Sequence, residues 1–205
     1  MSAATTILAR IRAANAGNAP PADVARHYLG AGERSTDDLV ARFAARVEDY
    51  RAEVRICAPE ALAETLGAVL GDAPIDLVVP GGFDDRLLPR HVRRVLDSPP
   101  LTVDQLDAAA GVVTTCALAI AETGTIVLDA GPGQGRRALT LLPDLHVVVV
   151  HADQIVAGVP DALARLVPTR PLTWISGPSA TSDIELRRIE GVHGPRTLRV
   201  VVVTS

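Results

Sequence analysis

Residues 145–151 read Leu-His-Val-Val-Val-Val-His, LHVVVVH. A strand with one wet face alternates apolar and polar side chains, whereas a strand covered on both faces reads as an unbroken β-branched run. Four successive valines between polar residues therefore predict a central strand of a parallel sheet with a layer packed on each side. The same pattern recurs outward in both directions. LRVVVV (198–203) follows it, IDLVV (75–79) and EVRIC (53–57) precede it, and TWIS (173–176) is a shorter strand. Helical signals fall between the strands, and alternation of this kind is the rhythm of an α/β domain with crossover helices.

The helices are read from their ends. Residues 3–14 form a short amphipathic helix, followed by a Gly/Pro-rich extended arm over 15–35. Ser35-Thr36-Asp37-Asp38 caps a helix that runs to about Arg51, with Leu39, Val40, Phe43 and Val47 on one face. Pro59 opens a helix that reaches Leu70 and stops at Gly71. Pro80-Gly81-Gly82 turns the chain into a helix expected over Phe83 to Leu96. VVTTCALAIAETGTIVLDAG (112–131) reads as a strand or hairpin turning at Thr123-Gly124, with 125–129 as its second limb. GPGQG (131–135) is a loop, 136–142 a short helix, 160–167 helical, and 182–188 a helical turn or more. The domain division is 1–35 as helix and arm and 36–205 as one α/β domain.

Composition narrows the function. The chain has 205 residues, 48% hydrophobic and 21% charged, an ordinary globular balance with enough length for one substantial core. Aromatics are 2% and the formal charge is −4, which disfavours stacking platforms and phosphate-binding stripes and hence a nucleic-acid partner. All 20 basic residues are arginine. Without lysine there is no Schiff base and no P-loop lysine. Cys57 and Cys116 form no CxxC pair, and about four thiolates hold an iron–sulfur cluster, so this chain alone is expected to bind none. Sparse cysteines, no signal-peptide pattern and no apolar run of about 20 residues fit a cytoplasmic protein without a membrane span. No two histidines have metal-ligand spacing, and no metal is expected.

Four segments can carry chemistry. In GPGQGRR, Gly133 and Gly135 with Arg136 or Arg137 read either as an anion or carboxylate site or as a solvated βα loop. A dinucleotide fingerprint fits poorly, because Arg136 stands where its third glycine belongs. In Ala121-Glu122-Thr123-Gly124-Thr125, Glu122 is a candidate base or a solvated turn residue. In ISGPSATSDIE (175–185), Ser176, Gly177, Pro178, Ser179, Thr181, Ser182, Asp183 and Glu185 read as a small-molecule pocket at a strand end, with plain helix capping by Ser182 and Glu185 as the simpler account. In GVHGP (191–195), His193 is either an acid/base group or a turn former.

TTCALAIAETGTIVLDAGPGQGRRALTLLPDLHVVVV, then ISGPSATSDIE and GVHGP, together resemble the LUD domain of the lactate-utilization protein C family over about 111–205. The resemblance implies a three-layer α/β/α fold with a mostly parallel sheet, like that of ribose-5-phosphate isomerase, glucosamine-phosphate deaminase and the CoA transferases. It also implies a part in oxidising L-lactate to pyruvate beside iron–sulfur partner proteins that carry the clusters. On that reading, Glu122 or His193 handles the hydroxyl proton and Arg136 or Arg137 clamps the carboxylate. A stand-alone isomerase or acyl/CoA transferase using Glu122, and a non-catalytic adaptor, remain as alternatives.

Overall fold

A computed structural model describes residues 2–17, 35–181, 189–190 and 194–204. The elements in chain order are α1 (Ala3–Asn15), α2 (Thr36–Asp49), β1 (Glu53–Cys57), α3 (Leu62–Leu70), β2 (Ile75–Val79), β3 (Val92–Leu96), α4 (Val103–Ala108), β4 (Gly111–Thr114), β5 (Leu118–Ile120), β6 (Thr125–Leu128), β7 (Leu145–His151), β8 (Ile155–Val156), α5 (Val159–Arg165), β9 (Thr173–Ile175), β10 (Ala180–Thr181), β11 (Ile189–Glu190) and β12 (Thr197–Val203).

The six-stranded central sheet has the order β1-β12-β7-β4-β2-β3, and every neighbouring pair is parallel. The valine run of β7 lies inside it, as its sequence requires. Register divides the valines between two cores. Val147 and Val149 face α3 with Val201, Val203, Leu77 and Leu66. Val148 and Val150 face the other way, with Val200, Val202 and the α2 residues Val40, Phe43 and Val47. On that second face lies a smaller sheet, β8-β5-β6-β9. Its inner residues Ala119, Ile126 and Leu128 join the α2 core, and its outer residues Leu118, Ile120 and Val127 pack on Ala162 of α5. The result is a mixed α/β domain with a parallel central sheet between two covering layers.

Ser35 and the Thr102–Gln105 capping box start α2 and α4 by accepting from backbone amides three residues on. The helix expected over Phe83 to Leu96 is instead a short turn at Asp85–Leu87 followed by edge strand β3. Pro89 cannot sit inside a helix without loss of a hydrogen bond, and Val92-Arg93-Arg94-Val95 pairs with β2, where Arg93 forks onto Asp76. The charges that mimicked an amphipathic helix belong to a strand with one free edge. The apolar stretch from 112 also divides. β4 ends at Thr114 in the central sheet, residues 115–117 cross over, and β5 begins the smaller sheet. The hairpin itself turns at 121–124, pairing Ile120 with Thr125. The helix expected over 136–142 is a single tight turn, Arg137–Thr140. The helical reading of 182–188 and most of the 15–35 arm lie outside the described residues.

Candidate functional site

The Gly131–Gly135 loop comes first because it closes one possible site. β2 and β4 are neighbours, yet the chain leaves β2 toward β3 on one side and returns to β4 on the other. Open α/β sheets bind ligands in the crevice beyond such a pair of carboxyl ends. Here the loop fills it. The Gly133 amide donates to the Gly81 carbonyl at 2.9 Å, and the Gly133 carbonyl accepts from Thr115 N at 2.9 Å. Gly133 has φ +75°, and a Cβ there would meet Thr115 Oγ1 at 2.7 Å, so glycine is required. The Gly131 amide goes to Asp129, the Gln134 amide to Gly131 O, and buried Gln134 Oε1 accepts from Asp129 N. The amides of Gly131, Gly133 and Gln134 are thus spent within the protein rather than offered to an anion. Gly135 is pressed against Leu139 and Pro80. Arg136 is committed too: it forks onto Asp97 at 2.8 and 3.0 Å and donates to Leu101 O at 2.7 Å. The anion site read from this loop is therefore reduced to Arg137.

Arg137 lines a cleft of about 280 Å³ together with Thr140, His146, Trp174, Ser176 and Ser179, and with Gly177, Pro178, Gly194 and Pro195. It makes no ion pair among the described residues. The cleft opens between the amino ends of β7 and β12, which supply His146 and Leu198, and the end of β9. Two of the sequence-read segments therefore meet: the arginine after the glycine loop and the turn at Ser176–Ser179. That turn is fixed on both sides. Ser179 N donates to Pro195 O at 2.8 Å, and a Cβ on Gly177 would strike the Tyr50 side chain at 2.5 Å. Gly124 abuts the Arg46 backbone in the same way, so the end of α2 seats both turns.

A chain of hydroxyls leads away from the cleft: Ser176 Oγ lies 2.8 Å from Thr125 Oγ1, which lies 2.7 Å from Thr123 Oγ1. Glu122, next along, is not a lining residue. Its side chain is 62% exposed, 4.0 Å from Arg42, beside the start of α5. Thr181 belongs to β10, while Ser182, Asp183, Glu185 and His193 lie outside the described residues.

The residue that sequence reading passed over is His146. It is 1% exposed and forms part of the cleft wall, with Nε2 2.8 Å from Thr114 Oγ1. Burial lowers its pKa to about 4, so the ring is neutral at ordinary pH. The available signal was a histidine breaking the face of a strand otherwise wholly valine. Among the described residues no group of three or more His, Cys, Asp or Glu side chains could hold a metal ion, and Cys116 is buried with its thiol pKa pushed up by desolvation. No helix among the described residues is long and apolar enough to cross a membrane.

Comparison with known proteins follows this geometry. The LUD domain profile matches residues 99–203. Lactate utilization protein C of Deinococcus radiodurans is 46% identical over 173 residues, covering 82% of this chain and 81% of that protein. The protein of the same name from Geobacillus sp. (strain WCH70) is 31% identical over 168 residues, 70% of this chain and 69% of that one. A crystal structure of a DUF162 family protein from Deinococcus radiodurans aligns with a TM-score of 0.71 at 38% identity, covering 83% of this chain and 99% of that chain.

Proposed function

This chain belongs to the LUD domain family, and from that premise we propose that it serves lactate utilization by holding L-lactate or pyruvate in the Arg137–Ser176 cleft while iron–sulfur partner proteins take the electrons. One observation carries the reading: a guanidinium with no carboxylate partner among the described residues shares a single cleft with hydroxyl groups and a neutral buried imidazole. An arginine fork matches a carboxylate in shape and charge, so Arg137 clamps the acid group. Ser176, backed by Thr125 and Thr123, bonds the 2-oxygen, and the hydroxyl chain gives its proton a way out. His146, anchored by Thr114, stays uncharged, so it accepts a hydrogen bond from the substrate hydroxyl without repelling Arg137. Oxidising lactate to pyruvate releases two electrons and two protons: the O–H proton leaves along the hydroxyl chain, and the Cα hydrogen leaves with both electrons, as a hydride equivalent, to an acceptor held by the partner proteins. Two cysteines fall short of the about four thiolates of a cluster, so the electrons leave for the partner proteins.

Trp174, the sole tryptophan, lines the cleft and reports on it. L-lactate or pyruvate should change its fluorescence, and Arg137→Ala should weaken that response at least tenfold. A response that is absent at millimolar ligand, or unchanged in Arg137→Ala, refutes the site.

A further inference from the structure

A second and larger cleft, about 560 Å³, lies at the opposite, carboxyl edge of the central sheet, beyond β4 and β7. The glycine loop forms one wall through Gly131, Pro132 and Gln134, and the segment leaving α5 forms the other through Arg165, Leu166 and Val167. Its floor is rigid. Gln154 donates to Cys116 O at 2.8 Å, and its Oε1 accepts from His151 N at 2.9 Å and from the Cys116 thiol. Arg170 is neutralised by Asp129. Two charges in the cleft remain unspent. Arg165 touches only the backbone carbonyl of Asp153, at 3.3 Å, and makes no ion pair among the described residues. The Asp153 carboxylate has no hydrogen bond or ion pair among them either, and it lies close enough to Cys116 to help raise that thiol's pKa. A guanidinium and a carboxylate thus both line the cleft without pairing, with an apolar wall of Leu118, Leu166 and Val167.

We propose that this cleft binds a free α-amino acid with an apolar side chain. The ligand's carboxylate meets Arg165, its ammonium meets Asp153, and its side chain covers Leu118, Leu166 and Val167. A zwitterion satisfies both unpaired charges at once, whereas a simple anion or cation leaves one of them facing a like charge. The site is separate from the Arg137 cleft and does not depend on the reading given to it.

Calorimetric titration of the full chain with L-leucine tests the proposal. L-leucine binds; 4-methylpentanoate, which lacks the ammonium, and 3-methylbutylamine, which lacks the carboxylate, each bind at least tenfold more weakly. Arg165→Gln and Asp153→Asn each cost at least tenfold in L-leucine affinity. Both side chains are on the surface, and an unchanged melting temperature shows that the variants fold. Trp174 fluorescence stays constant on L-leucine addition, and Arg137→Ala binds L-leucine as the parent does. No heat of binding with millimolar L-leucine or L-phenylalanine overturns the proposal. So does binding that survives both substitutions, and so does equal affinity for 4-methylpentanoate. Each of these results leaves the lactate test at Arg137 intact.

Discussion

Replacing Gly133 by alanine tests whether the 131–135 loop is a structural plug. The substitution meets two separate costs. At φ +75° an L-residue carries about 1–2 kcal/mol of left-handed strain. The new methyl also falls 2.7 Å from Thr115 Oγ1 and 3.0 Å from Thr115 Cγ2. Thr115 cannot easily give way, because its hydroxyl bonds Pro132 O at 3.1 Å and its amide bonds Gly133 O. Overpacking of that kind costs about 1–3 kcal/mol. Together these come to about 2–5 kcal/mol, and at about 2–4 °C per kcal/mol for a chain of this size the melting temperature should fall by roughly 4–20 °C. The matched control is Gly81→Ala. Gly81 receives the Gly133 amide on its carbonyl, but a Cβ there meets nothing within 4 Å, and its φ is not left-handed. Its melting point should stay within about 2 °C of the parent or rise slightly. Thermal unfolding followed by far-ultraviolet circular dichroism decides the matter. If Gly133→Ala melts within about 2 °C of the parent, or Gly81→Ala falls equally far, the plug is not what holds the loop.

Other consequences are simpler to state. His146 has a folded pKa of about 4, below its ordinary 6.5, so the unfolded chain binds the proton first. Stability is complete at neutral pH, declines as pH falls below about 6.5, and at pH 5 is reduced by about 2 kcal/mol through this group. In His146→Leu that part of the acid sensitivity should vanish, as melting curves at pH 7.5 and pH 5 would show; an unchanged slope would mean that other groups carry it. Asp97 is held below the usual carboxylate range by the Arg136 fork, so its contribution persists until pH drops under about 4. Asp97→Asn at neutral pH should cost roughly 1–2 kcal/mol, discounted for the 40% exposure of the Arg136 side chain, and chemical denaturation would register it. Leu66→Ala, at a fully buried α3 position, should lose about 2–5 kcal/mol by the same measurement.

The sequence was most informative where one physical signal acted alone. The valine runs of β7 and β12 could only be interior strands, and the Ser35 cap and Gly71 stop marked helix ends through local hydrogen bonding. Reading failed where tertiary pairing overrode local pattern. Arg93 and Arg94 look helical until β2 supplies Asp76 and a strand partner. The split after Thr114 depends on which sheet the next strand joins, which no local pattern encodes. The candidate site shows the same division. Ser176 through Ser179 were visible as hydroxyls at a strand end, and Arg137 as a cation after a loop. Choosing between Arg136 and Arg137 needed Asp97, 39 residues away in sequence. His146 was hidden because its partner Thr114 lies on a neighbouring strand. The carboxyl-edge cleft was hidden because its walls come from three separate segments.

The central sheet ends in two edge strands, β1 and β3, and both carry charged side chains. Glu53 and Arg55 bond one another on the first, and Arg93 and Arg94 are anchored on the second. A bare strand edge is a template for another chain, and charge is the usual deterrent. On β3 the two arginines are held by Asp76 and Asp85, so a second molecule would have to accommodate two bulky ion-paired side chains before any backbone bond formed. The fold is thereby guarded against growing through its own sheet into fibrils, and neutralising Arg93 and Arg94 together is the change most apt to remove that guard while leaving the interior untouched.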